Sequence, residues 1–96
     1  MSDKYILDGH TAVPCDDVIA WGRQFEMANR QVAKDIVGDV VVSTVFLGLD
    51  HSFGEGPPLL FETMIFGGPF DQEQERYTTW EQAEAGHKAM LTKAAA

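Results

Sequence analysis

Two apolar segments, Val40–Leu49 and Leu59–Phe66, place the strongest constraint on the fold of this 96-residue chain. Both are rich in β-branched and aromatic residues, which favours strands. The first segment is apolar on both of its faces, which is typical of a strand in the middle of a sheet. The intervening segment, Asp50–Pro58, combines Gly and Pro and predicts a loop. Together they predict two central strands joined by one loop.

The remaining pattern predicts two helices and several shorter strands. Apolar residues at helical spacing indicate a first helix over Asp17–Asn29. Thr79 and Gln82 form a capping-box pattern at the start of a second helix. The shorter predicted strands are Tyr5–Asp8, Thr11–Val13, Arg30–Val37 and Arg76–Thr79. We therefore expect one α+β domain, residues 1–96, with two amphipathic helices on one face of an antiparallel sheet of about four to five strands.

The small size of the chain makes a homo-oligomer the expected state. A chain of this length buries only about 60–65% of its unfolded surface, so contacts between subunits add useful burial. Val40–Leu49 has no polar side, so the sheet face away from the helices is a candidate dimer surface. Gly22 costs about 1 kcal/mol relative to Ala inside a helix, and predicts close approach of the sheet or of a second subunit.

The charge distribution limits the range of partners. The chain has a net charge of −8, and its cations are scattered rather than clustered. Long DNA or RNA is therefore an unlikely ligand on charge grounds, because such binding needs several clustered phosphate contacts. A small nucleotide remains possible, since one or two Arg side chains can hold a phosphate. The alternatives are an acidic protein that binds a basic protein partner, and a charge that serves solubility alone.

No segment of the sequence predicts a membrane span or an export signal. Val40–Leu49 is much shorter than a span, and the first residues lack the basic and apolar pattern of a signal peptide. A single cysteine, Cys15, fits a reducing compartment. The expected location is the cytoplasm.

The loop Asp50–Pro58 is the first candidate ligand site. Its ends are held by the two central strands, and functional residues favour loops held in this way. Gly54 and Gly56 permit close approach of a ligand to the backbone. His51 offers a hydrogen bond and Phe53 a stacking face. The alternative is an ordinary hairpin loop stiffened by its prolines, since the pattern is not a phosphate-binding loop.

Four further residues complete the predicted ligand set. Arg30 and Arg76 lie near strand ends, and Arg76 is the cation best placed to hold a phosphate beside the second helix. Tyr77 offers a ring for stacking. Glu62 lies within an apolar strand, where it binds a ribose hydroxyl, acts as a base, or pairs with Arg30 or Arg76. For Arg76, the structural alternative is a surface ion pair with Glu73 or Glu75.

The aromatic residues at helical spacing are expected to belong mostly to the core. Trp21, Phe25 and Trp80 follow this spacing, and together with Tyr77 they leave one or two rings free to line a pocket and stack on a base. That pocket is predicted between the Asp50–Pro58 loop and the start of the second helix.

Neither catalysis nor metal binding is expected. His10, His51, His87 and Cys15 match no compact zinc spacing. His87 lies on an apolar helix face and is expected to be a hydrogen-bonded core histidine. No Ser or Cys lies in a recognisable nucleophile motif. The predicted protein is thus a non-enzyme without cofactor, and the open alternative is a small hydrolase that uses His51 or Glu62.

Three segments carry a resemblance to a known group. They read DGHTAVPCDDVIAWGRQFE, VVVSTVFLGLDHSFGEGPPLLFETMIFGG and ERYTTWEQAEAGHKAM. The chain resembles a family of short bacteriophage-encoded accessory proteins, and the functional group it is nearest to is the Thoeris anti-defence sponges. The resemblance implies an oligomer in the host bacterial cytoplasm that sequesters a cyclic ADP-ribose-type or cyclic oligonucleotide signal without cleaving it. It also implies Arg side chains on phosphate and aromatic rings on the base.

Overall fold

A computed structural model of the chain describes residues 3–27, 30–52 and 56–95. The elements in chain order are β1 (Tyr5–Asp8), β2 (Thr11–Pro14), α1 (Val18–Met27), β3 (Gln31–Val37), β4 (Val40–Phe46), β5 (Phe61–Phe66), β6 (Gln74–Tyr77) and α2 (Trp80–Ala95). The expected α+β class with antiparallel strands is confirmed. Within these ranges, no helix combines the length and the apolar character that crossing a membrane requires.

The larger sheet is an antiparallel meander in the order β3-β4-β5-β6. The two central strands are the ones that the apolar segments predict, and each is shorter than its segment. β4 ends at Phe46 because Gly48 has a φ of 76°, which strand residues do not adopt. The backbone continues to pair beyond that point, since Leu47 N–H donates to Leu60 O at 2.7 Å.

Helix α2 covers one face of this sheet. Its buried residues Ala83, His87 and Met90 lie four and three positions apart and so share one side of the helix. They pack against alternate residues of β4 and β5, namely Val42, Thr44, Phe46, Phe61, Thr63 and Ile65. The capping box is confirmed, because Thr79 Oγ1 accepts from Gln82 N at 3.1 Å and Gln82 Oε1 accepts from Thr79 N at 3.3 Å.

Helix α1 does not lie beside α2 on the four-stranded sheet. It packs instead against the separate hairpin β1–β2. The side-chain amide of Gln24 satisfies the outer edge of β1, accepting from Leu7 N at 2.7 Å and donating to Leu7 O at 2.8 Å. Trp21 Nε1 donates to Gly48 O at 2.9 Å. Two polar side chains therefore fix α1 to the hairpin and to the end of β4. Within the described chain nothing lies within 4 Å of a Cβ at Gly22, so close approach of the sheet is the wrong explanation for that glycine.

The other face of the four-stranded sheet is uncovered by either helix, and we call it the open face. The strand register places on it Lys34, Ile36, Val41, Ser43, Val45, Glu62, Met64, Phe66, Gln74 and Arg76. Its β4 residues are half-buried by their neighbours within the sheet. The expectation that β4 has no solvent face is therefore wrong for the isolated chain.

Candidate functional site

A cleft of about 230 Å³ lies where the hairpin meets the start of α2. The hairpin supplies one wall and α2 with its preceding residues supplies the other. The lining residues are Tyr5, His10, Thr11, Ala12, Pro58, Leu60, Thr78, Thr79, Trp80 and Glu81. The floor is formed by Leu60, which is 2% exposed. The described residues thus form a concave site between the hairpin and α2.

A stacked pair of rings forms part of the cleft wall. The imidazole of His10 lies parallel to the indole of Trp80, with ring centroids 3.8 Å apart and planes 5° apart. Trp80 also meets the buried ring of Phe61, with ring centroids 6.2 Å apart and planes at 86°. Phe61 therefore anchors the indole from within the core, while His10 lies exposed at the tip of the hairpin. The result is a fixed aromatic platform beside an open space.

The polar groups of the cleft are mostly neutral. Thr11, Thr78 and Thr79 contribute hydroxyl groups, and Glu81 contributes the one carboxylate among the described lining residues. Neither Lys nor Arg is among the lining residues that the structure describes. The start of α2 is partly capped, because Thr79 Oγ1 accepts from Gln82 N and Gln82 Oε1 accepts from the N–H groups of Thr78 and Thr79 just before the helix. The cleft therefore suits an uncharged planar group better than a phosphate.

Two of the predicted ligand residues, Glu62 and Arg76, are paired with each other on the open face. Arg76 Nε donates to Glu62 Oε2 at 2.9 Å, and the two side chains are 29% and 15% exposed. Of the alternatives for Glu62, pairing with Arg76 is thus the one observed. The pair lies on the sheet face opposite α2, so Arg76 does not reach the cleft beside that helix.

Tyr77 and Arg30 lie in two other places. Tyr77 follows Arg76 in β6 and therefore points to the opposite face, under Gly86 of α2. Burial raises the pKa of its phenol above the ordinary value, and the carboxylate of Glu75 raises it further. Arg30 lies with its guanidinium 3.8 Å from the centre of the Phe25 ring, a cation–π contact at the end of α1. Tyr77, Arg30 and the Glu62–Arg76 pair therefore lie in three different places, and the structure does not bring the four predicted residues together.

The predicted loop site is closed by one carboxylate. Asp50 Oδ1 accepts from Ser52 N at 2.8 Å and from Leu59 N at 3.0 Å, which joins the two ends of the loop. His51 adds a backbone bond to Leu59 O at 3.0 Å. Gly56 has a φ of 135°, a conformation that favours glycine. Phe53 and Gly54 lie outside the described residues.

Asp50 gives a testable pH dependence. The backbone hydrogen bond from Ser52 is the main cause that lowers the pKa of the Asp50 carboxyl. A lowered pKa in the folded state stabilises the protein above the ordinary pKa, and that contribution is lost as the pH falls through the folded-state value. We expect Asp50→Ala to lower the free energy of unfolding at pH 7 by about 1 kcal/mol.

The matched control for this prediction is Asp50→Asn, which keeps the acceptor oxygen and removes the charge. At pH 7, Asp50→Asn should lose less stability than Asp50→Ala. Between pH 7 and pH 3, the two variants should show the same reduced change in the free energy of unfolding, because neither carries the carboxyl group. Urea unfolding at pH 7 and pH 3 measures both quantities. Equal losses for the two variants at pH 7 would show that Asp50 Oδ1 does not close the loop.

A chain of buried hydrogen bonds runs beneath α2. His87 Nε2 lies 2.7 Å from Asp35 Oδ2, His87 Nδ1 lies 2.7 Å from Thr44 Oγ1, and Thr44 Oγ1 lies 2.5 Å from Thr63 Oγ1. These bonds link Asp35, His87, Thr44 and Thr63 in one continuous chain. The prediction of a hydrogen-bonded core histidine is confirmed.

The order carboxylate, imidazole, hydroxyl is also that of a catalytic triad. A nucleophile must reach a substrate, however, and Thr44 is 0% exposed beneath the helix. His87 is 3% exposed, and only Asp35, at the sheet edge, is half exposed. The chain of bonds is therefore suited to fixing α2 on the sheet, since each of its buried groups has a partner.

The cleft lies next to the start of α2, where the sequence predicts the pocket, but most of its lining residues differ from the predicted ligand set. Pro58 of the predicted loop lines the cleft, and Trp80 belongs to the aromatic set. The contribution of the hairpin, including Tyr5 and His10, was missed. The available signal was the Asp8-Gly9 turn, which leaves His10 at a tip, but nothing in the sequence indicates that this tip reaches Trp80.

Comparisons with known proteins add no relative to this description. A scan against protein-family models, a search of curated proteins and a search of solved structures each returned no match.

Proposed function

We propose that this chain is a non-enzymatic binding protein that sequesters a small nucleotide signal, and that the cleft holds the base. The proposed role rests on the resemblance to phage anti-defence sponges. The proposed ligand is a cyclic ADP-ribose-type or cyclic oligonucleotide signal in the host cytoplasm. The observation that carries the ligand assignment is the parallel His10–Trp80 stack beside the 230 Å³ cleft. Aromatic platforms bind bases through their faces with little dependence on sequence or charge.

The size of the cleft limits what it holds. Pockets for drug-sized ligands span about 300–1,000 Å³, and this cleft is smaller. A base with part of its sugar is therefore the portion that fits, and the remaining ligand extends to the rim. The threonine hydroxyls of the lining supply the neutral hydrogen bonds that a base edge needs.

The phosphates of such a ligand are expected outside the cleft. Glu81 repels an anion at the rim, and Arg76 is engaged by Glu62 on the opposite sheet face. The proposed stacking platform is therefore the His10–Trp80 pair rather than Tyr77, and Arg76 lies outside the binding site. We expect a nucleoside to retain most of the affinity of the matching nucleotide.

Calorimetry with a blocked cleft tests this function. Thr11 is exposed and lines the cleft, so Thr11→Trp fills the space without altering the core. The wild type is titrated with cyclic ADP-ribose isomers, cyclic oligonucleotides and adenosine, at concentrations up to about 100 times a micromolar Kd. We expect saturable heat with at least one ligand, and Thr11→Trp should weaken that binding by at least about tenfold.

The matched control is Ala89→Trp, which adds the same ring at an exposed position of α2. Ala89 lies about 12 Å further along the helix than Glu81, at about 1.5 Å per residue. It should leave the binding unchanged. Equal binding by the wild type and Thr11→Trp would show that the cleft is not the binding site. No heat with any of the ligands would contradict the proposed function.

Recovery of the ligand separates sequestration from hydrolysis. After incubation and denaturation, chromatography should return the bound ligand intact. A cleaved ligand would instead favour an enzyme, and loss of cleavage in the His51→Ala or Glu62→Gln variant would assign the activity to the corresponding residue.

The second candidate is an acidic protein that inhibits a host defence protein by direct contact. The observation that favours it is the exposed acidic segment Asp71–Glu75, together with exposed Glu81 and Glu84 on α2. Within this segment Glu73 is paired with Lys93. Pull-down from host lysate at about 0.05 and 0.5 M salt tests it, because contact between charged surfaces weakens as salt screens it. A stoichiometric protein captured only at low salt would favour this candidate over the nucleotide sponge.

A further inference from the structure

The open face of the four-stranded sheet combines apolar surface with a charge unlike that of the rest of the molecule. One row across the sheet is entirely apolar and consists of Ile36, Val41 and Phe66. Ile36 is 67% exposed and Phe66 is 45% exposed, and both are among the most exposed large apolar residues that the structure describes. Met64 lies in the next row and extends the patch.

The charges of the open face are few and mostly cancel. Lys34 and Arg76 are its cations, and Glu62 is the one carboxylate that the strand register of the described chain places on it. Arg76 and Glu62 are bonded to each other. The whole chain has a net charge of −8, so nearly all of its acidity lies on other surfaces. The open face is thus close to neutral in a strongly acidic protein.

We infer that the open face is the contact between two copies of this chain, packed face to face with the two α2 helices on the outside. Two acidic molecules repel through most of their surface, and this face lets them meet without bringing their carboxylates together. A nucleic acid is a poor occupant, because two cations on a face, one of them already paired, provide few phosphate contacts. A twofold axis matches the apolar row of one copy to that of the other.

Edge-to-edge pairing of the sheets is the competing way to join two copies, and the sequence of β3 opposes it. β3 is an edge strand with Lys34 and Asp35 at its centre. Antiparallel pairing of β3 with itself places either Lys34 or Asp35 opposite its own copy when the strands are centred. Like charges directly opposite are unfavourable, and charged residues are a common protection of sheet edges.

The size of the open face sets the expected strength of the dimer. Four strands about 4.8 Å apart and about six residues long give a flat area of about 400 Å² per copy. A standard stable interface buries about 800 Å² per partner, so this contact belongs to the weaker class. We therefore expect a dimer that dissociates in the micromolar range or above, and whose mass depends on protein concentration.

Sedimentation equilibrium of the free protein, from about 5 to about 500 μM, tests the inference. The wild type should shift from the mass of one copy towards that of two. Ile36→Lys places a charge in the apolar row and should raise the dissociation constant at least tenfold. Ser43→Arg, at the centre of the same face, should do the same and provides a second variant, with circular dichroism and thermal unfolding verifying that each is folded.

The matched control is Ile19→Lys. Ile19 is an isoleucine of α1 with 70% exposure, against 67% for Ile36, and it lies away from the open face. It should leave the dissociation constant unchanged. A wild type that stays monomeric, a dimer that survives both open-face variants, a dimer lost in Ile19→Lys, or growth beyond two copies would each overturn the inference. Because no ligand is added, these results are independent of the proposed function.

Discussion

Replacing Gly86 by Ala should lower the free energy of unfolding by about 2 kcal/mol, although Ala is the better helix former by about 1 kcal/mol. Gly86 lies in α2 directly above Tyr77, and a Cβ at this position overlaps the Cζ and OH of the phenol ring. The ring is half-buried and joined to Glu75 by a hydrogen bond. Either the ring must swing out or α2 must lift from the sheet, and both movements lose packing of Tyr77 against the core. Urea unfolding measures the loss.

A change of sign verifies the cause of this effect. In a Tyr77→Leu background the obstructing end of the ring is gone, so Gly86→Ala should then raise stability by up to about 1 kcal/mol. Gly22→Ala is the matched control in α1, where a Cβ has nothing within 4 Å in the described chain. It should also stabilise by about 0.5–1 kcal/mol. A destabilising Gly22→Ala would indicate a neighbour other than the described residues of this chain. A neutral Gly86→Ala would contradict the packing of α2 on Tyr77.

The second large effect concerns the buried bonds of His87. Thr44→Val keeps the shape of the side chain and leaves His87 Nδ1 without its partner, which should cost about 1–3 kcal/mol. His87→Leu removes the bonds to Thr44 and Asp35 and should cost a similar amount. The double variant removes both partners of the central bond together. It should therefore cost less than the sum of the single variants, by about 1 kcal/mol or more.

Chemical unfolding of the four proteins at one pH yields this coupling. Thr92→Val is the matched control for the hydroxyl, since Thr92 is exposed and its hydroxyl donates to the carbonyl of Lys88 in its own helix. It should change stability by no more than about 0.5 kcal/mol. Additive losses in the double variant would mean that His87 and Thr44 do not share a hydrogen bond in solution.

The main sheet and α2 were predictable because local signals and tertiary packing agree there. The apolar segments specify β4 and β5, and pairing puts Val42 beside Ile65 and Phe46 beside Phe61 on one face. The capping box at Thr79 marks the start of α2. The place of α1 was not predictable, because the side-chain amide of Gln24 bonds to the backbone of Leu7, 17 positions away. No periodicity encodes such a bond.

The candidate site was harder to predict, because residues that are neighbours in a strand point to opposite faces of the sheet. Arg76 and Tyr77 are neighbours in the sequence, and both were expected at one ligand. Side chains alternate along a strand, so Arg76 points to the open face and Tyr77 lies under α2. Conversely, His10 and Trp80 are far apart in the chain, and only the folded hairpin brings them to 3.8 Å. The aromatic character of the pocket was foreseeable, whereas its second wall was not.

The indole N–H signals of the two tryptophans test the central claim, that the cleft beside Trp80 binds a base. Trp80 Nε1 is buried and bonds to no other described group, whereas Trp21 Nε1 donates to Gly48 O at 2.9 Å. A ¹H–¹⁵N spectrum therefore contains the reporter and its internal control. On titration with adenosine and then cyclic ADP-ribose isomers, the account predicts that the Trp80 signal shifts to saturation while the Trp21 signal stays in place. An unchanged Trp80 signal, or a shift of Trp21 alone, would contradict it.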